Sequence, residues 1–370
     1  MAYYMTIMEK LKKDVYEVHS ISGGKDHTLV LLKSGKVMGW GGSGSGRVLT
    51  NAPDICSTIS PTLSASEIKD VVKFSAITAG DGVSLALSDR KQVFIWGSCA
   101  IGISGGDGAI ADSTPMLLDS LPPIARLAAG EFHFAAVDTS GQIHTWGLNV
   151  DGALGRDSDQ LNAPPGPVAS LPPMRNVALG DGFMIGVTNN GRLYAWGSNS
   201  SGQLGLGHLK TVLIPEPVGL SAPIKNIAIG STHVLAITEG GKVYAWGSNN
   251  HGQIANDKVC YSTTPQVISF PESISAVSAG MHFSLALSSS GKVYAWGWNG
   301  FGQLGLNDLQ ARNSPTLVPN LSKIQFISAG EMHSTAIGRD KIFGWGNNSS
   351  GQIGVAKTKQ ITPNPFLIIG

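Results

Sequence analysis

Seven Trp-Gly pairs, at Trp40-Gly41, Trp96-Gly97, Trp146-Gly147, Trp196-Gly197, Trp246-Gly247, Trp296-Gly297 and Trp345-Gly346, punctuate the chain. Successive tryptophans stand 56, 50, 50, 50, 50 and 49 residues apart, the mark of one supersecondary unit repeated in tandem. A tandem array is one structural object, so the 370 residues do not divide into the two or three domains that length alone suggests.

Repeat five shows what the unit contains. Ile224 to Ile229 is one short run, Gly230-Ser231-Thr232 a turn, and His233 to Ile237 a second run; both have strand length. After Glu239-Gly240-Gly241, the stretch Lys242-Val243-Tyr244-Ala245-Trp246 sets β-branched and aromatic residues between glycines, which predicts a third strand. A polar loop from Ser248 to Gln253 leads to Thr264-Pro265-Gln266-Val267-Ile268, where proline confines the strand to a start or a sheet edge. Four short antiparallel strands make a propeller blade. The expectation is therefore an all-β chain: a seven-bladed β-propeller of four-stranded antiparallel blades over residues 15–370, with residues 1–14 as an N-terminal cap or closure segment. For closure, either the two chain ends share one blade or Tyr3 to Lys13 docks as a cap, with Tyr4, Ile7, Met8 and Leu11 at helical spacing.

A glycine lies 16 residues before the Trp in six repeats (Gly24, Gly80, Gly130, Gly180, Gly230, Gly280) and 15 before it in the last (Gly330). A second follows each Trp by six: Gly46, Gly102, Gly152, Gly202, Gly252, Gly302 and Gly351. Glycine at a fixed offset signals positive φ or close backbone approach. The tryptophans read as packing wedges between neighbouring blades, since one such ring buries roughly 150–250 Å².

Three residues after the first glycine, repeats one, three, five and seven carry His27, His133, His233 and His333, where the others carry Val83, Phe183 and Phe283. Single histidines on separate blades lack the clustered ligands of a metal site, so they are expected to bridge strands, and neither metal nor cofactor is expected. His19, His144, His208, His251 and His282 are scattered. No G-x-S-x-G lies between a strand and a helix, and Gly41 to Gly46 lacks the lysine and hydroxyl of a phosphate loop; covalent catalysis is not expected. Cys56, Cys99 and Cys260 lack ligand or disulfide spacing and read as buried thiols of a reducing compartment. Asn199, Asn320, Asn347 and Asn348 fall in formal glycosylation sequons, but Asn199 and Asn347 belong to the repeat loop.

The two residues between glycine and His vary: Lys25-Asp26, Asp81-Gly82, Glu131-Phe132, Asp181-Gly182, Ser231-Thr232, Met281-His282 and Glu331-Met332. Five of the seven pairs contain an acid, in a chain with 26 basic and 25 acidic residues. The whole-chain charge gives no reason to expect nucleic acid or an anionic membrane as partner, whereas this face should be locally negative. Asp26, Asp81, Glu131, Asp181 and Glu331 are the partner-binding candidates. The plainer reading is that turns favour Asp and that exposed acids aid solubility.

The pattern G-x-x-H-x-x-A-[LI] followed by G-[KR]-[VL]-Y-A-W-G-x-N-x-x-G-Q-L-G, carried by Gly230 to Ile237 and Gly191 to Gly205, resembles the repeat of the regulator of chromosome condensation family. It is sharp in repeats four to seven and blurred in one to three, where Gly-Gln becomes Gly46-Arg47, Gly102-Ile103 and Gly152-Ala153. The resemblance implies a seven-bladed propeller that recognises a protein. The founding member is an exchange factor for the small GTPase Ran, and acidic residues of this turn take part in its nucleotide release. Asp26, directly before the His, is the closest match, and the other four acids lie one residue earlier. The resemblance thus implies exchange on a Ran-like GTPase. The alternative is a non-catalytic adaptor or enzyme-inhibitor propeller with an unrelated partner, a role other members have.

This chain departs from the exchanger in having only Lys10, Lys12 and Lys13 as basic residues in its first thirteen, and as its one long insertion six residues within Gly42 to Ser66. The plant ultraviolet-B photoreceptor is a poor match, since the extra Trp298 lies outside the turn. With no signal peptide and no run of 18 apolar residues, the expected setting is cytoplasmic or nuclear, and the expected state a monomer.

Overall fold

The computed structural model describes residues 18–42, 57–59, 72–97, 112–158, 160–339, 341–355 and 360–369. Its strands form seven four-stranded antiparallel sheets, each made of consecutive strands, so the fold is the expected seven-bladed propeller. The blades span 18–59, 74–117, 124–167, 174–217, 224–268, 274–317 and 326–369. In blade five the strands are Ile224–Ile229, His233–Thr238, Val243–Ser248 and Tyr261–Ile268. The last begins before the expected Thr264, because Tyr261 and Ser262 already pair with Ser248 and Gly247 ahead of a bulge that absorbs the proline stretch.

The tryptophans wedge the blades together as expected. Six are fully buried and Trp40 nearly so, and each indole whose partner is recorded bonds to the preceding blade. Trp196, Trp246, Trp296 and Trp345 donate from Nε1 to the carbonyls of Ala153, Gln203, Gln253 and Gln303 at 2.8–3.0 Å. Two of these carbonyls take a second donor from the same neighbour, Gln253 from Ser284 Oγ and Gln303 from Ser334 Oγ, and the Gln352 carbonyl, which accepts from Trp40, takes one from Thr28 Oγ1, each at 2.8 Å.

The histidines extend this arrangement. His27, His233 and His333 place Nε2 at 2.9–3.0 Å from Ser84, Ser284 and Thr28 of the next blade. The Ser284 and Thr28 hydroxyls already donate to Gln253 and Gln352, so His233 and His333 donate from Nε2–H. Burial disfavours their charged form and holds His133 and His333 at a pKa of about 4 and His233 at about 3. His133 departs from the set: the next blade offers Met184 in the hydroxyl slot, and Nε2 has no partner. Replacing His333 with phenylalanine should therefore cost about 1–3 kcal/mol, while His133→Phe should stay within about 1 kcal/mol of the parent. Urea unfolding of the two variants side by side checks the difference.

Ring closure uses the same contacts. Among the described residues, blade one and blade seven exchange no strand; the segment before residue 18, on which the two alternatives raised by the sequence turn, lies outside them. Gly23 N–H donates to Ser328 Oγ at 2.9 Å, Glu331 N–H to the Gly24 carbonyl at 3.0 Å, and Trp40 Nε1 to the Gln352 carbonyl at 3.0 Å. The expected cap, residues 1–14, and most of the insertion between Gly42 and Ser66 lie outside the described residues.

The two repeated glycines answer to different constraints. A Cβ on Gly230 would stand 2.3 Å from the Gly280 carbonyl oxygen, and one on Gly280, 2.6 Å from that of Gly330; the blades converge too closely there for a side chain. Gly252 and Gly302, by contrast, sit at φ of 83° and 75°, the left-handed region that glycine enters freely.

One expectation fails. Cys260 is an exposed free thiol, because it precedes an outermost strand at the propeller's periphery; Cys56 and Cys99 fall outside the described residues. The sequon residues Asn199 and Asn348 are fully buried, and Asn199 Oδ1 accepts the Leu204 N–H while its Nδ2 donates to the His208 and Lys210 carbonyls.

Candidate functional site: the channel mouth

The first strand of each blade runs along the ring axis and ends at the repeated glycine. There the turns of successive blades meet around a cavity of about 420 Å³. A backbone collar joins them: Asp181 N–H donates to the Ser231 carbonyl, Ser231 to Met281, Met281 to Glu331, Glu331 to Gly24, and Lys25 to Gly80, at 2.9–3.3 Å. The turns of blades five, six, seven and one are held on both sides in this way, and those of blades two and four on one side.

The residue after each glycine lines the mouth: Lys25, Asp81, Glu131, Asp181, Ser231, Met281 and Glu331. The structure thus brings Asp81, Glu131, Asp181 and Glu331 together and sets Asp26 apart. One residue further on, Asp26 lies over Gly42, where a Cβ would meet its carboxylate, and 4.0 Å from His27 Nδ1. The four structural histidines sit below the collar and do not line the cavity.

Sequence reading passed over Lys25, whose Nζ lies 2.8 Å from Asp81 Oδ2. One ammonium therefore faces four acids. The hydrogen bond to Asp81 raises the Lys25 pKa, with further support from the charges of Glu331 and Glu131. Burial, then the charges on Asp81 and Asp181, pushes the Glu131 carboxyl up; burial does the same at Glu331, against an opposing pull from Lys25. Lys25→Met should raise both glutamate pKa values further, measurable by carbon-detected NMR titration of the side-chain carboxyls; unchanged values would mean the ammonium is too solvated to matter. No three His, Cys, Asp or Glu side chains are placed to hold a metal ion among the described residues.

A second feature was not legible in the sequence. The rings of His251 and His282 meet with centroids 5.0 Å apart and planes tilted by 31°, and Trp298 lies 6.0 and 6.3 Å from them. Phe301 meets the Trp298 ring edge to face at 5.5 Å. All four side chains are half-buried, and His282 with Met281 forms part of the cavity wall. Burial, then the charge of His251, lowers the His282 pKa. The signal lay in the frame: equivalent positions carry Leu148, Ser198 and Ser248 for Trp298, and Asp151 and Ser201 for His251 and Phe301.

The fold agrees with comparison to known proteins. Residues 101–368 match the RCC1-like domain, and residues 18–47 the regulator of chromosome condensation (RCC1) repeat. The chain belongs to the RCC1-like family. Among solved structures, Prp20p from Saccharomyces cerevisiae, described with its binding to Gsp1p and histones, superposes with a TM-score of 0.77 at 24% identity, over 86% of this chain and 82% of that one. Human WBSCR16 superposes with 0.76 at 21% identity, over 87% of each. At that identity the likeness establishes the fold. Probable E3 ubiquitin-protein ligase HERC6 from Homo sapiens is 34% identical over 120 residues, 31% of this chain and 11% of that protein. The ultraviolet-B receptor UVR8 of Arabidopsis thaliana is 31% identical over 105 residues, 28% and 23% of the two chains. The chain thus spans only a small part of these two curated relatives. No helix among the described residues is long and apolar enough to cross a membrane.

Proposed function

We propose that this chain is a protein-recognition propeller that binds its partner on the channel-mouth face. The observation that carries the reading is the mouth: variable side chains on turns brought together around one cavity, several of them tied by backbone hydrogen bonds and four of the side chains acidic, on a chain of net charge +1. A rigid surface with a local field orients a partner while losing little conformational entropy.

The most specific form of the reading is nucleotide exchange on a Ran-like GTPase, supported by the repeat resemblance and by the fold shared with Prp20p. Its mechanism would be electrostatic and steric: an acidic face docked beside the nucleotide disfavours bound phosphate and Mg²⁺, and stabilises the nucleotide-free GTPase. Addition of the protein at micromolar concentration to Ran loaded with fluorescent nucleotide should then speed release well above the spontaneous rate. Release at the spontaneous rate removes the exchanger.

One observation favours the second reading, a non-catalytic adaptor or inhibitor. Asp26, the residue in the slot directly before the His, lies over Gly42 outside the cavity wall, and Lys25 occupies the mouth in its place. An adaptor would bind its partner through the same face and leave nucleotide release untouched.

A further inference from the structure

The mouth is uneven around its rim. Asp81, Glu131 and Asp181 follow one another on blades two to four and Glu331 stands on blade seven, while Met281 and His282 of blade six, backed by His251, Trp298 and Phe301, supply an apolar and aromatic stretch. Aromatic rings are not needed by the blade, since other repeats put Leu148, Ser198 or Ser248 at the Trp298 position and Asp151 or Ser201 at that of His251. Here they form a half-buried wall beside a cavity that the four acids also line.

A wall of rings alone leaves its occupant open; the adjoining charge narrows it. The four acids exceed the lysine by three, and the one cation present, Lys25 Nζ, has settled at 2.8 Å from Asp81. The mouth already accepts an alkylammonium side chain, its own. An arginine or lysine from outside would find carboxylates for its head, while its stem and neighbours would cover apolar ring surface and the cation could lie against the Trp298 face. A cavity of about 420 Å³ admits one long side chain, not a folded domain.

We propose that the channel mouth receives a single lysine or arginine side chain of a protein partner, with the apolar residues flanking it packed on the His282–Trp298 wall. This rests on the reading of the mouth as the partner-binding face and adds the chemistry of the contact. Lys25 competes for the same carboxylates, so its removal strengthens binding.

The test uses the whole chain and two short fluorescent peptides, one with arginine between two leucines and one with glutamine in its place. Fluorescence anisotropy at low salt should show the arginine peptide binding at least tenfold more tightly than the glutamine peptide. K25M should tighten the arginine peptide several-fold. E131Q combined with E331Q should weaken it about tenfold, and W298A about fivefold for both peptides, with thermal melts confirming that each variant folds. Equal affinity for the two peptides, binding of neither at millimolar concentration, or no response to K25M and E131Q/E331Q would overturn the proposal. If the peptides fail while an intact partner still crosslinks to Asp181, the inference falls and the face survives; if neither contacts the mouth, both fall.

Discussion

Trp246→Ala is expected to lower the unfolding free energy by about 3–5 kcal/mol. The indole is fully buried among Leu204, Val212, Val218, Ile224 and Ile227 at the seam of blades four and five. It also supplies the N–H that the Gln203 carbonyl accepts at 2.9 Å. The seam cannot collapse to fill the void. Gly205 stands against the ring, with a would-be Cβ 2.8 Å from Nε1, and is held at a φ of 71°. Because the ring is closed, a weakened seam acts on the whole array. Urea unfolding followed by circular dichroism should show a midpoint shift of that size. Trp298→Ala, at a half-exposed ring on the mouth face, should cost about 1 kcal/mol or less; equal losses would contradict the division of the tryptophans into wedges and surface.

Stability should fall as the pH is lowered from 7. His133, His233 and His333 have folded-state pKa values of about 4, 3 and 4, below the ordinary 6.5. Below pH 6.5 the unfolded chain therefore takes up protons that the folded chain refuses. Their contribution is complete above about pH 6.5 and is lost as the pH falls toward 4, at up to about 1.4 kcal/mol per pH unit for each imidazole. Glu131 and Glu331 act in the opposite sense, because burial raises their folded pKa values and the folded state gains protons first. Three fully buried imidazoles outweigh two half-buried carboxyls, so the net slope is positive. Unfolding midpoints measured from pH 7.5 to 5.5 should decline, and His233→Phe should flatten the decline. A midpoint independent of pH in that window would mean that the histidines are solvated.

Much of the fold was legible because the repeat reports local geometry. Val243 to Trp246 carries the β-branched and aromatic residues of a buried strand between glycines, and Gly230 stands where the neighbouring blade leaves no room for a side chain. Even the bridging role of His233 followed from its isolation in sequence. The site was half legible. That the turn would carry a local acidic field could be read from Asp81, Glu131, Asp181 and Glu331, but the face each residue turns to depends on how one blade meets the next. A shift of a single position separates Asp81 in the cavity wall from Asp26 outside it. His251 and His282 lie 31 residues apart on adjacent blades, and nothing local foretells that their rings meet. The thiol of Cys260 was misjudged for the same reason: composition suggests burial, and position at the periphery decides otherwise.

The central claim is that partners meet this chain at the channel mouth, and photo-crosslinking tests it most directly. A photoreactive residue replaces Asp181, exposed at the mouth, or Ile214, 66% exposed on an outermost strand, and the adducts formed in cell extract are identified by mass spectrometry. Discrete protein adducts from position 181 that disappear when Glu131 and Glu331 are changed to lysine are the expected result. Adducts from position 214 alone, or adducts at 181 indifferent to the charge reversal, would contradict it.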